Sequence, residues 1–321
     1  MNITITGGAG FLGAMLTHAL LHRYKEIAQI RIVDRVEPDL SPYDSRVTAV
    51  VADITNPAEM DRLIDARTTH VFHLAAIVSS HAEEDFDLGM KVNLLATQLL
   101  LERCRQVNPS IRFVFSSSLA VFGGELPALI EPMTATQPSS SYGTQKAVGE
   151  LLVNDYGRKG FVDALTVRLP TICIRPGTPN KAASSFVSGI IREPLKGERS
   201  NCPVDPSLPL WISSPETVIE NIIHASQLPA DQIQGYRTLN LPGIQVTPAE
   251  MITAMTHIAG EKFAQRVSFE TDEAVSSIVS SWPKAFNNAA ELSLGFQADK
   301  DFRTVLEGYL AKYPVCEEEA C

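Results

Sequence analysis

Through the first half of the chain, short runs of β-branched and apolar residues alternate with longer amphipathic stretches. Asn2-Ile3-Thr4-Ile5-Thr6 reads as a buried strand, and an amphipathic helix follows from Phe11 to about Arg23. Ile30–Val33 is a second strand that ends in Asp34, and Val47–Val51 is a third. A helix from about Pro57 to Ala66 and a strand at Val71–Leu74 come next. A long helix from about Glu83 to Arg105 leads to a strand that opens at Arg112 and closes at Ser118. A helix starting near Tyr142 and a strand at Ala164–Leu169 complete the series. This alternation predicts an α/β fold, a doubly wound parallel Rossmann sheet with helices on both faces. Ligands of such sheets bind beyond the carboxyl ends of the strands, where Gly7, Asp34, Asp53, Ala75 and Ser118 fall.

The first strand and first helix are joined by T-G-G-A-G-F-L-G at 6–13. Gly7 permits a tight turn, Gly10 lets backbone N–H groups approach a pyrophosphate, and Gly13 lets the helix pack closely. Phe11 and Leu12 open the helix, whose N-terminus favours negative charge. The context is the one a dinucleotide site requires, because the turn follows a strand and precedes a helix. A carboxylate at Asp34 can accept hydrogen bonds from the adenosine ribose and repels an added phosphate, so NAD is expected over NADP. Arg35 softens that preference only if it turns toward the ribose.

Candidate chemistry clusters later. Tyr142 and Lys146 form Y-x-x-x-K on one face of a predicted helix, and Ser118 closes the preceding strand. A hydroxyl, a phenol and an ammonium can together manage a proton on a substrate oxygen. A free phenol titrates near pH 10, so action as a base near neutrality asks for about 4 kcal/mol of preferential phenolate stabilisation. A nearby ammonium and a cationic nicotinamide ring can supply it. His73, at the end of a buried strand, reads as a core histidine.

Texture changes after Leu169. Prolines cluster between Pro170 and Pro215 and the alternation stops. The expectation is a smaller, loop-rich substrate lobe that closes over the cofactor. The division is then 1–169 for the NAD-binding domain, 170–315 mainly for the lobe, and 316–321 for a flexible acidic tail. The helix at Pro215–Gln227 and a strand near Tyr236–Leu241 are candidates to return to the large sheet.

Bulk composition narrows the partners. The chain has 321 residues, 45% hydrophobic and 20% charged, with a net charge of -10, which argues against nucleic acid or an anionic membrane. No apolar run is long enough to span a membrane and no secretory signal precedes the first strand. Five scattered cysteines have no metal-ligand spacing, so no metal site is expected and the thiols read as reduced, in a cytoplasmic protein.

These motifs together resemble the extended short-chain dehydrogenases/reductases of the NAD-dependent epimerase/dehydratase superfamily. The matching stretches are the glycine turn, Asp34, A-D-I at 52–54, H-L-A-A at 73–76, Asn93, F-S-S-S at 115–118 and Y-G-T-Q-K at 142–146. The resemblance implies that Asp53 and Ile54 flank the adenine and that Leu74, Ala75 and Ala76 line the cofactor trough. It implies that Asn93 supports the site through its backbone or a water, and that Tyr142 and Lys146 also meet the nicotinamide ribose. Family members commonly pair through a four-helix interface, which makes a homodimer possible here.

The second half departs from nucleotide-sugar epimerases, since Thr171 stands where those carry an asparagine. R-L-P-T-I-C-I-R-P-G at 168–177, N-K-A-A-S-S-F at 180–186 and L-W-I-S-S-P-E-T-V at 210–218 are instead similar to D-erythronate dehydrogenases. That similarity implies NAD-dependent oxidation of the 2-hydroxyl of a four-carbon sugar acid. From the residues themselves, a small hydroxy acid needs a carboxylate site and hydroxyl donors. Ser79, Ser118, Tyr142, Thr171, Arg175 and Asn180 are the candidates, with Lys181, Ser184 and Arg192 nearby. Epimerase/dehydratase, L-threonine-type dehydrogenase and non-catalytic NAD sensor are the competing readings.

Overall fold

In the computed structural model, the apolar runs of the first half pair side by side in one parallel sheet. The structure describes residues 1–233 and 235–315, so the expected tail at 316–321 lies outside the described residues. The strands are β1 (Asn2–Thr6), β2 (Gln29–Asp34), β3 (Val47–Val51), β4 (His70–His73), β5 (Arg112–Ser118) and β6 (Asp163–Leu169). A seventh, Thr238–Asn240, returns from late in the chain to pair with β6. Their spatial order is Thr238–Asn240, β6, β5, β4, β1, β2, β3. The order reverses between β1 and β4, and a doubly wound sheet opens its ligand crevice at such a switch point.

Helices cover both faces. Ile3, Ile5, Leu16, Leu20 and Ile222 lie on one side, and Leu100, Phe113, Phe115 and Val153 on the other, all buried. Helix Pro215–Gln227 lies on the first of these faces, against the first helix, Phe11–Arg23. Its start is fixed by Ser214, whose hydroxyl accepts from Thr217 N at 3.2 Å, and by proline at the first helical position.

Two elements differ from the sequence expectation. The helix expected over 57–66 shrinks to a 3-10 turn at Pro57–Glu59 and a short helix at Met60–Leu63. Asp65 ends it by accepting from Arg67 N at 2.9 Å and closing a turn that no helix can continue. The single helix expected over 83–105 is split at Asp85: Ser79–Glu84 precedes the split, and Phe86–Gly89, a π-helical stretch at Met90–Leu95 and Ala96–Val107 run on without interruption after it. Asp85 breaks it and caps the following piece by accepting from Leu88 N at 3.0 Å.

A second hydrophobic core, built from Cys173, Val187, Ile190, Met251, Met255 and Leu306 among others, lies beyond the sheet. Its three-stranded sheet orders Ile244–Val246, Leu210–Ser213 and Thr171–Ile172. Pro170 alone separates β6 from Thr171–Ile172.

Candidate active site

Two hollows meet along the carboxyl ends of the strands and share Leu74 and Ala76. The first encloses about 300 Å³ and is lined by Gly7, Gly10, Asp34, Asp53, Ile54, Ala75 and their neighbours. Gly7 has φ +71, and a Cβ there would lie 2.8 Å from the Ala75 backbone, so only glycine fits. Asp34 accepts from Ala9 N at 3.1 Å and from Arg35 N at 2.8 Å, which fixes its carboxylate over the turn. Asp53 is held by the Thr55 N–H and hydroxyl, which keep its carboxyl below the usual range.

The second hollow, about 210 Å³, is lined by Leu12, Ser79, Ser118, Tyr142, Lys146, Thr171 and Arg175, among others. Helix Ser141–Arg158 presents Tyr142 and Lys146 to it. The Ser140 hydroxyl caps that helix by accepting from Gly143 N at 3.1 Å. The Lys146 ammonium donates to Ser116 O at 2.8 Å and lies 4.6 Å over the Phe115 ring and 5.8 Å over the Tyr142 ring. Burial lowers Lys146 to about 7, with Glu150 pulling the other way. Burial raises the Tyr142 phenol to about 12, and the Ser118 hydroxyl pulls it down. The chain's own groups therefore leave the phenol above its free value, and the phenolate stabilisation needed exceeds the ~4 kcal/mol of a free phenol.

Several expected site residues stand one layer back. Asn93 is fully buried; its Oδ1 accepts from Ile77 N at 2.8 Å and its Nδ2 donates to Gln145 Oε1 at 2.7 Å. Its side chain thus ties the first hollow to the helix of Tyr142, where a backbone or water role was expected. Gly13 packs on the Gly7–Gly8 backbone. Phe11 lines neither hollow and faces a third, between the first helix and helix Phe302–Lys312. Asn180 lies outside the pocket wall and accepts from Arg175 Nη2 at 3.0 Å. Lys181 pairs with Glu84 at 2.7 Å, while Arg192 is buried, donating to Arg175 O at 2.7 Å and pairing with Glu193. Burial and the neighbouring Arg192 lower the Arg175 pKa. His73 is a core residue, bonded to the hydroxyls of Thr6 at 2.7 Å and Thr97 at 2.9 Å, with burial lowering it to about 3.

Sequence reasoning missed three participants. Glu150 is buried and accepts from Ser117 Oγ at 2.5 Å and from Arg168 at 2.6 and 2.9 Å. It therefore pins the strand end of Ser118 to the helix of Tyr142. Gln145 answers Asn93 from that same helix. Trp282 reaches the pocket from far along the chain. The spacing of Glu150, four residues beyond Lys146, was a usable signal; nothing local pointed to Trp282.

Residues 3–212 match the NAD dependent epimerase/dehydratase family. The chain belongs to that family. NAD is accordingly the cofactor, and the glycine turn, the Asp34 carboxylate and the trough at Leu74–Ala76 fit it. The chain is 52% identical to D-erythronate dehydrogenase of Haemophilus influenzae, an alignment covering 97% of this chain and 99% of that one. It is 48% identical to D-erythronate dehydrogenase of Cupriavidus necator, over 97% and 98%. Among solved structures, a nucleoside-diphosphate-sugar epimerase from Agrobacterium tumefaciens superposes with a TM-score of 0.90 at 38% identity, over 97% of this chain and 94% of that one. L-threonine 3-dehydrogenase from Trypanosoma brucei superposes with a TM-score of 0.88 at 25% identity, over 97% and 96%. Among the described residues no helix is long and apolar enough to cross a membrane, and no cluster of candidate metal ligands occurs.

Proposed function

We propose that this family member oxidises the 2-hydroxyl of D-erythronate to 2-oxo-D-erythronate, with NAD as hydride acceptor, in carbohydrate acid catabolism. The observation that carries the reading is the 52% identity to a D-erythronate dehydrogenase across nearly all of both chains. The pocket chemistry agrees with it, because a cation and a phenol line one small hollow.

When bound, NAD supplies the hydride-accepting ring and a positive charge beside the phenol. Ser118 holds the reacting oxygen and stabilises charge as it develops. Tyr142, as phenolate, would take the proton from the 2-hydroxyl oxygen as C2 gives up its hydrogen as hydride to the acceptor ring and the carbon–oxygen double bond forms. Lys146, anchored on Ser116 O, favours the phenolate and bonds the nicotinamide ribose. Arg175 clamps the carboxylate with the donors that Asn180 does not take. Ser79 and Thr171 meet the remaining hydroxyls, and residues 170–315 act mainly as the substrate lobe. The working unit is a cytoplasmic homodimer. Exposed Leu95 and Leu151 support that pairing, whereas Leu100 and Leu101 are taken up by the protein's own core. The buried free thiols of Cys104, Cys173 and Cys202 suit a reducing compartment.

The test is NADH formation with D-erythronate, the threonate stereoisomers and L-threonine as separate substrates. D-erythronate should be the preferred one, and absence of NADH from all of them would sink the reading. Tightly retained NAD without net reduction would point to an epimerase instead. Arg175→Met should raise KM for the acid far more than it lowers kcat, and sedimentation should give a dimer mass.

A further inference from the structure

Small side chains such as Ala76, Ser79, Thr171, Ala182 and Ser184 line part of the reaction pocket, and Leu12, Leu74, Leu119 and Leu169 line another part. Its bulkiest side chain is Trp282, an indole brought in from the segment after helix Glu273–Ser280. Its ring packs at once on the lobe core and on the cluster of Phe122, Ile130 and Phe286. The segment that carries it is strapped down on several sides. Ile130 N donates to Ala285 O at 2.9 Å and Asn287 N to Ile130 O at 2.8 Å. Gln245 Nε2 donates to Lys284 O at 2.9 Å and Asn288 Nδ2 to Asn240 O at 2.7 Å. Phe286 in turn meets Trp211 and Phe122, with ring centroids 5.5 and 5.7 Å apart. A side chain held this way is a wall, since moving it would break contacts in two cores.

We infer that Trp282 sets the chain length of the acid this enzyme accepts. The inference rests on the reading above, that the pocket takes a 2-hydroxy acid. With the carboxylate on Arg175 and the 2-hydroxyl between Ser118 and Tyr142, the position of the acid is fixed at two points. An added hydroxymethylene group must then press on the indole or drag the reacting carbon out of register. A misplacement of about 1 Å is enough to cost on the order of 100-fold in rate.

The experiment compares D-erythronate with D-ribonate as a five-carbon probe, in wild type, Trp282→Phe, Trp282→Leu and Trp282→Ala. The readouts are kcat/KM from NADH formation and affinity from calorimetry in the presence of NADH. Wild type should favour D-erythronate strongly. The five-to-four-carbon ratio should rise in the order Phe, Leu, Ala, by about tenfold or more in Trp282→Ala. If the alanine variant does not fold, the phenylalanine and leucine variants decide the matter by the same ratio. A wild type that oxidises or binds both acids equally overturns the inference and leaves the reaction standing, as do folded variants whose ratio stays within twofold. A wild type that neither oxidises nor binds D-erythronate overturns the reaction and the inference with it.

Discussion

At the cofactor end of the trough, the walls are backbone and short side chains that lie within a few residues of strand ends: Gly7, Asp34, Asp53 and Ala75. At the substrate end, Tyr142, Arg175, Ser184 and Trp282 converge from a helix, a loop and a late C-terminal segment. A site made by the main chain at the end of a strand inherits its geometry from the sheet. A site made by side chains from distant segments inherits its geometry from packing, and can change without disturbing the sheet. The difference predicts that lesions at the substrate end act on turnover or on affinity for the acid, and lesions at the cofactor end act on NAD affinity and folding together.

The comparison breaks most visibly at Tyr142. Tyr142→Phe should lower kcat by roughly 10²–10⁴-fold while the NAD dissociation constant stays nearly constant. A variant of near-wild-type kcat would remove the proposed base. At the other end, Gly7→Ala forces a side chain into φ +71 and onto the Ala75 backbone. The strain alone is roughly 1–2 kcal/mol, so NAD affinity should fall about tenfold or more and thermal stability should drop. Calorimetric titration and a melting curve read both effects, and unchanged values would show that the turn tolerates a Cβ.

Lys146 lines the substrate-side hollow and, in the proposed mechanism, also meets the cofactor, which sharpens the contrast. Its folded-state value of about 7 lies below the ordinary 10.5. The unfolded chain therefore binds the extra proton, and burying this lysine costs stability in full below about pH 7 and nothing above about pH 10.5. Lys146→Met removes that cost but leaves Ser116 O without its donor, a loss of roughly 1–3 kcal/mol. Urea unfolding of the protein without NAD should find the variant more stable than wild type at pH 6 and less stable at pH 10. The same difference at both pH values would show that Lys146 does not titrate as described. The smallest effect is expected at the exposed Lys181–Glu84 pair, where Glu84→Gln should leave the melting temperature nearly unchanged.

Legibility from sequence followed the same division. The first helix came out at Phe11–Arg23 because the glycine turn marks its start, and the helix at Pro215–Gln227 because the Ser214 cap and a first-turn proline act locally. The stretch from 83 to 105 misled because its apolar spacing is helical throughout, while the break depends on the Asp85 cap and the widened turn around Asn93. That turn is stabilised by Ile77 and Gln145, partners no window of sequence contains. Tyr142, Lys146 and Ser118 were readable as a pattern. Which cation reaches the pocket was not, since Arg175, Lys181 and Arg192 differ only in what the folded chain sets beside them.

The single residue between the large sheet and the small one carries a further consequence. Pro170 lines the pocket and joins β6 directly to Thr171–Ile172, so the two sheets share an axle with a fixed φ. A graft for new acids cannot run from this joint to the end of the chain, because helix Pro215–Gln227 and strand Thr238–Asn240, both beyond it, are built into the large sheet.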